Sequence, residues 1–188
     1  MSRKKNYNED VVTNKAMRLF WSNGYHTTST RMLEKEMGIN LFSIYSSFQN
    51  KDGVFLASVK CYKDLIRQKL LIPLAKKPQT IATLKDFFYD FLNFTREQKS
   101  YKGCLLINTA NELGNDMTEN VTKEITSFSE EIRSQISLIL SKQQSKNKAD
   151  LTRQTNYIFV ALQGVSLTAK ALDKAQIDDY IEMTFLDL

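Results

Sequence analysis

The chain has 188 residues, a quarter of them charged and 42% apolar, and carries a formal net charge of +5. That is a globular composition, long enough for one well-filled domain or for a small domain fused to a larger one. Two prolines and six glycines favour helix, and Cys61 and Cys104 are too few for a disulfide framework.

No apolar run approaches the roughly 18 residues that a membrane span needs. The charged start MSRKKNYNED has no apolar region behind it, as a signal peptide would. A reducing cytoplasm is the expected compartment. The charge excess leans to one end, since residues 1–52 hold eight Lys/Arg against five Asp/Glu.

Arg3, Lys4 and Lys5 belong to a polar basic tail, either solvated or within reach of a polyanion. A first helix is predicted from Glu9 to Asn23, with Val12, Ala16, Leu19 and Phe20 as its buried stripe and Trp21 at its edge; Gly24 stops it. Two short helices then follow, joined by a tight turn. Ser29 is a good N-cap, and Leu33, Glu36 and Met37 keep helical spacing. Gly38 ends that helix, because glycine takes the left-handed C′ conformation without a Cβ penalty. Asn40 caps the next helix, whose Ile44 and Phe48 lie four apart and face Leu33 and Ile39. This is the skeleton of a helix-turn-helix, although an αα-hairpin buried in a core would show the same skeleton.

The flanks add Ala16, Phe20, Gly24-Tyr25, Tyr45 and Lys51 to Ser29, Leu33, Gly38-Ile39 and Phe48. With them, Val12 to Phe55 resembles the DNA-binding domain of the TetR family of bacterial transcription repressors. The resemblance covers about a quarter of the chain; the remainder fits in length and helical character. It implies an all-α protein of two parts: residues 1–50 as a three-helix DNA-binding module, and residues 51–188 as a six-helix effector-binding and dimerisation domain. It also implies that the last two helices pair with their twofold mates, and that a ligand releases the protein from its operator.

Beyond the module, Asn50 or Gln49 caps a long helix from Lys51 to about Leu71, with Val54, Ser58, Cys61, Tyr62 and Leu65 on one face and Pro73 and Pro78 bracketing its end. Thr80 opens a helix whose Leu84, Phe87, Phe88, Phe91, Leu92 and Thr95 repeat at i, i+3, i+4 through Gln98. Gly103 and Gly114 bound a short one. Asp116 or Thr118 caps a further helix running to about Gln143, before the polar loop QQSKNKAD. A long helix from about Ala149 to Leu172, rich in small residues around Gly164, and an amphipathic end from Asp173 to Leu188 complete the chain.

Catalytic chemistry is poorly supplied. His26 is the one histidine, and no metal-ligand spacing, phosphate loop or nucleophile elbow occurs, so neither an enzyme nor a bound cofactor or metal is expected. The candidate DNA-binding residues are Thr28, Ser29, Thr30, Arg31, Asn40, Leu41, Phe42, Ser43, Tyr45, Ser46 and Lys51, together with exposed N-terminal amides of the helices. The reading helix offers no Arg or Lys for guanine, and Leu41 and Phe42 stand where the family commonly has charged or small residues. They suit thymine methyls, or else Leu41 packs on its own module.

The candidate effector lining is Tyr62, Phe87, Phe88, Phe91, Cys104, Asn108 and Phe128, which suits a small apolar or electrophilic effector. Cys104 stands in a GCL context that resembles a subgroup of the family in which the helix after this Gly borders the ligand pocket, and some members of that subgroup sense electrophiles or oxidants through such a cysteine. A thiol at a helix N-terminus has its thiolate favoured by the dipole, and Lys170 is a candidate cationic neighbour. An inert Cys in the pocket wall fits the same residues. Asn108, Asn111 and Glu112 either orient a ligand or satisfy backbone groups. A ligand- or electrophile-binding protein of this fold that has lost specific DNA binding is the alternative function.

Overall fold

The computed structural model describes residues 7–96, 103–142, 147–186 and 188, and among them the only regular structure is helix. In chain order these are α1 (Glu9–Asn23), α2 (Thr30–Met37), α3 (Leu41–Phe48), α4 (Lys51–Ile66), α5 (Ile81–Arg96), α6 (Leu105–Leu113), α7 (Glu119–Ser141), α8 (Lys148–Thr168) and α9 (Lys174–Thr184). A π turn, Arg67–Leu71, and an α-helical turn, Ile72–Lys76, prolong α4. Arg3, Lys4 and Lys5 lie outside the described residues, as do Gln98 and the QQSK segment.

Local chemistry sets most boundaries. The side chains of Asn8, Ser29, Asn40, Asn50, Thr118, Asn147 and Asp173 each accept a backbone N–H from the first turn of the helix that follows. Asn50 and Thr118 are therefore the caps where the sequence left a choice. Gly38 is left-handed, at φ 72° and ψ 24°.

Helix α1 lies along α4 and α2, and α3 also rests on α4, so α4 is the floor of the N-terminal module. The same helix packs on α6 and α7. Beyond it, α7 runs against α8, α5 touches both, and α9 folds onto α8. One apolar core runs through both parts, from Val12 and Phe20 to Ile181 and Phe185. Each fully buried large apolar side chain in it contributes about 1.5–3 kcal/mol.

The structure corrects three expectations and adds a buried residue, Lys63, that helical periodicity gives no reason to single out. Pro73 does not end the long helix. A proline lacks the N–H and crowds the carbonyl four residues back. Here the Ile72 amide reaches Arg67 O, five residues back, and the widened turn lets helical backbone continue to Lys76. Trp21 is not at an edge: it is buried, its indole N–H donates to Gly103 O at 2.8 Å, and its ring packs on Tyr62 and Phe94. Helix α8 stops at Thr168 rather than Leu172, and a turn through Ala169–Leu172 leads to the Asp173 cap. Lys63, inside the stripe of α4, is 4% exposed. Its ammonium is held by Glu124 and by Ser127 Oγ on α7.

Candidate nucleic-acid interface and effector cavity

Glycine 24 turns the chain out of α1, at φ 81°. Thr28 follows in the loop, fully buried, with its hydroxyl donating to Gly24 O at 2.6 Å. Thr28 therefore shapes the entry to α2 and is withdrawn from solvent. Ser29 Oγ accepts from Met32 N at 3.2 Å, and Asn40 Oδ1 from Ser43 N at 2.8 Å. The Glu34 carboxylate, on α2, takes the amide of Leu41. Leu33, Met37, Ile44 and Phe48 bury the inner surface of this pair.

Outside, Ser29, Arg31, Asn40, Phe42 and Ser46 are exposed, and Thr30, Leu41, Ser43 and Tyr45 are half-buried. Phe42 is 81% exposed. A ring left this bare in the first turn of a capped helix has no packing role within the protomer. The amides of Leu41, Ser43 and Ile44 all have acceptors inside the protein, so α3 offers less free amide to phosphate than its N-terminus alone would suggest. Ahead of α1, the Tyr7 hydroxyl donates to Ser43 O at 3.0 Å and lies 2.8 Å from Ser47 Oγ, tying the chain before α1 to the middle of α3.

Lys51 opens α4 with its ammonium 4.2 Å from the centre of the Tyr25 ring. The Tyr25 hydroxyl donates to Asp52, and burial followed by that bond pushes its pKa up to about 12. Burial also lowers the Lys51 pKa, against the charges of Asp52 and Glu112. Lys51 is thus held by aromatic and acidic neighbours, with part of its surface still open.

The effector candidates do not all meet. Phe91, Cys104 and Phe128 line one apolar cavity of about 40 Å³ with Ile66, Leu106 and Leu162. Phe87 lies beside Phe91, with ring centres 6.5 Å apart. Tyr62 is fully buried at the Cys104 thiol, and its hydroxyl has no partner of good geometry among the described residues. Phe88 instead packs edge-on against Phe185, just past the end of α9, and Asn108 faces a different space. The sequence reading missed Ile66, Leu106 and Leu162 as cavity residues, because periodicity does not tell which apolar residue of a helix borders a void.

Cys104 stands at the N-cap position of α6, where the amides of Ile107 and Leu106 favour its thiolate. Burial outweighs them and raises the thiol pKa, so the dipole argument loses to desolvation. Its own amide donates to Ser166 Oγ at 3.0 Å.

A second, polar cleft of about 240 Å³ separates the N-terminal module from α6. Trp21, Gly24 and Tyr25 form one wall; Asn108, Glu112 and Lys170 face them. The Glu112 carboxylate spans the gap, accepting from the amides of Tyr25 at 2.9 Å and His26 at 2.8 Å. Of the two roles open to Glu112 in the sequence, the structure shows the satisfying of backbone groups.

Residues 12–58 match the family model described as "Bacterial regulatory proteins, tetR family". The chain is 27% identical over 175 residues to the HTH-type transcriptional repressor ComR of Escherichia coli (strain K12), covering 89% of this chain and 82% of that protein. Its fold is similar, at a TM-score of 0.84, to that of the TetR family regulator CifR in a cysteine mutant complexed with double-strand operator DNA; identity is 19%, over 98% of this chain and 99% of that one. It is also similar, at a TM-score of 0.70 and 17% identity over 93% and 96% of the two chains, to AibR in complex with isovaleryl coenzyme A and operator DNA.

Proposed function

The chain belongs to the tetR family of bacterial regulatory proteins, and from that premise we propose how it works as a DNA-binding transcriptional repressor. The outer surface of α3 reads operator DNA, and a small, mainly apolar effector seated beside α6 relieves repression. The observation that carries this is the α2–Gly38–α3 unit, closed inside by its caps and bare outside at Phe42. Leu41 and Phe42 meet thymine methyls, while Ser29, Thr30, Arg31, Tyr45 and Lys51 anchor phosphate. The test is a gel shift with DNA from upstream of the chain's own gene, at two salt concentrations. Absence of a specific shift at low salt would sink it.

AibR, seen with an acyl-coenzyme A and operator DNA, supports an effector of apolar or acyl character. The burial of Cys104 and its raised pKa support a wall residue rather than a reactive sensor. Cys104→Ser should then keep release by every active compound.

The active species is a homodimer joined through α8 and α9. Tyr157, Val160 and Leu167 on α8 and Tyr180 and Met183 on α9 are all exposed apolar side chains. Gly164→Leu should push Tyr180 aside, since even a Cβ there would lie 3.5 Å from its hydroxyl. Sedimentation should then show monomer where the parent is dimeric. No described helix is long and apolar enough to cross a membrane; the place of action is the cytoplasm, where the DNA is.

A further inference from the structure

We infer that Glu112 is a positioning residue which couples the effector cavity to the DNA-reading module, by seating its carboxylate on the amides of Tyr25 and His26. The inference rests on the repressor reading above and adds the part that carries the signal.

Three observations converge on α6. First, both of its ends are fastened to the module. At the N-terminal end Gly103 O accepts the Trp21 indole N–H at 2.8 Å; at the C-terminal end Glu112 takes the two amides. Those amides belong to the loop that leads through Thr28 into α2. Second, the seat is shaped for a carboxylate. A Cβ on Gly24 would lie 2.6 Å from Glu112 Oε2, so a residue without a side chain leaves the room, and its φ of 81° turns the following amides towards the acid. Third, α6 also walls the cavity, through Cys104, Leu106 and Ile107.

The cavity offers only about 40 Å³, far below the roughly 300–1,000 Å³ of ordinary ligand pockets. An effector of several carbon atoms enters only if a wall moves. The wall formed by α6 cannot shift as a body without dragging the Tyr25–His26 loop or leaving the seat. The seated state is the one with a small cavity, and so the one that binds operator. The effector favours the state with α6 displaced, and by linkage weakens the hold on DNA. On this inference α6 is a two-position element biased by both sites, and the structure holds its seated position.

The test uses the full chain as parent, Glu112→Ala, Glu112→Gln, Leu162→Phe and the double variant Glu112→Ala/Leu162→Phe. Leu162→Phe stands in for effector by overfilling the cavity from α8. Operator affinity is read by fluorescence anisotropy, and exchange of the Tyr25 and His26 amides by NMR. Glu112→Ala should lower operator affinity about tenfold, within the range of ordinary coupling energies, and speed exchange of both amides. Glu112→Gln keeps one acceptor oxygen and should recover part of both. Leu162→Phe should also weaken operator binding, yet add little in the Glu112→Ala background, where the link is already cut.

Parent-like affinity and amide protection in Glu112→Ala would overturn the inference, as would fully additive losses in the double variant. If Glu112→Ala fails to fold, the same comparison is made with Glu112→Gln. Should the parent bind no operator at all, the repressor reading fails by itself. The exchange measurement still decides the seat: faster exchange at Tyr25 and His26 in Leu162→Phe supports it, and unchanged exchange overturns it.

Discussion

The N-terminal module and the helical body beyond it are built on different length scales. In the module α2 and α3 are eight residues each, and every turn of their geometry is made by a neighbour in sequence: Ser29 and Asn40 as caps, Gly38 as the left-handed link. In the body α7 and α8 are 23 and 21 residues long, and what matters functionally is made by residues far apart. Lys63 meets Glu124 across 61 positions, Trp21 meets Gly103 across 82, and Glu112 meets Tyr25 across 87. A short helix has too few internal bonds to persist alone and must be over-determined by caps. A long one tolerates slack, and slack is what an effector site needs.

Two glycines put this contrast to a direct test. Gly53 lies in the first turn of α4, and a Cβ there would stand 1.7 Å from the backbone oxygen of Phe48. Neither side can yield, because Phe48 O already accepts the Asn50 amide and Gln49 is held at φ 71°. Gly53→Ala should cost on the order of 4 kcal/mol or more and abolish operator binding. Gly164, inside α8, would place its Cβ at an ordinary 3.5 Å from the Tyr180 hydroxyl. Gly164→Ala should be stabilising, by up to about 1 kcal/mol, because glycine is a poor helix former. Urea unfolding of the two variants reads both; equal losses would erase the contrast.

The junction between the two scales can be weakened by one atom. The Lys63 hydrogen bond holds Glu124 below the usual carboxylate range, against the effect of its burial. A carboxylate whose folded pKa is depressed contributes stability above its unfolded pKa, ordinarily near 4.5, and loses it as the pH falls through the folded value. Glu124→Gln should remove that share of the acid limb. At neutral pH it leaves a buried ammonium without its counter-charge, at about 2–3 kcal/mol, less than full burial would cost because the Glu124 side chain is 26% exposed. A parent-like acid limb in thermal melts from pH 3 to 7 would show that the Lys63–Glu124 pair adds nothing to the α4–α7 seam, which the Arg67–Glu131 pair and packing then hold.

The same difference explains what the sequence discloses. Bounds of α1, α2 and α3 follow from Ser29, Gly38, Asn40 and the apolar spacing, all within a few residues of the feature they set. The bare Phe42 is legible in the same way, as a large apolar residue off the buried stripe. Gly53 passes unremarked, since nothing near it in sequence says that Phe48 O lies overhead. The continuation of α4 through Pro73 needed the π turn, which no period predicts. In the body, stripes identify the core but not its voids: Phe88 and Phe91 are equally good members of one stripe, yet one meets Phe185 at the end of α9 and the other the cavity. Lys63 reads as an interruption of a stripe, and only Glu124 makes it an interior residue.

On the outer face of α3 the effects should be smaller and should spare the fold. Phe42→Ala should change stability by less than about 0.5 kcal/mol, as for other exposed positions. It should cost about tenfold in operator affinity, the low end for a lost base contact. Selection from a random DNA library should give A/T-rich half-sites with the parent and a relaxed preference with the variant. G/C-rich half-sites with the parent would show that residues other than Leu41 and Phe42 do the reading.

Lys51 should give the smallest effect and the most specific one. It stands where module and body meet, its ammonium over the Tyr25 ring and its backbone in the first turn of α4. Two roles predict different things. If Lys51 binds phosphate, Lys51→Ala releases one fewer counterion, and the slope of log affinity against log salt falls by about 0.9. Affinity then drops alike on every DNA sequence, because phosphate carries no sequence information. If Lys51 serves only to hold Tyr25, the slope stays and thermal stability falls by about 0.5–1 kcal/mol, the worth of an exposed cation–π pair. Titrations from 50 to 300 mM salt, paired with a melting curve, separate the two. An unchanged slope with a lowered melting point would move Lys51 from the DNA surface to the framework that holds Tyr25 and its amide against Glu112.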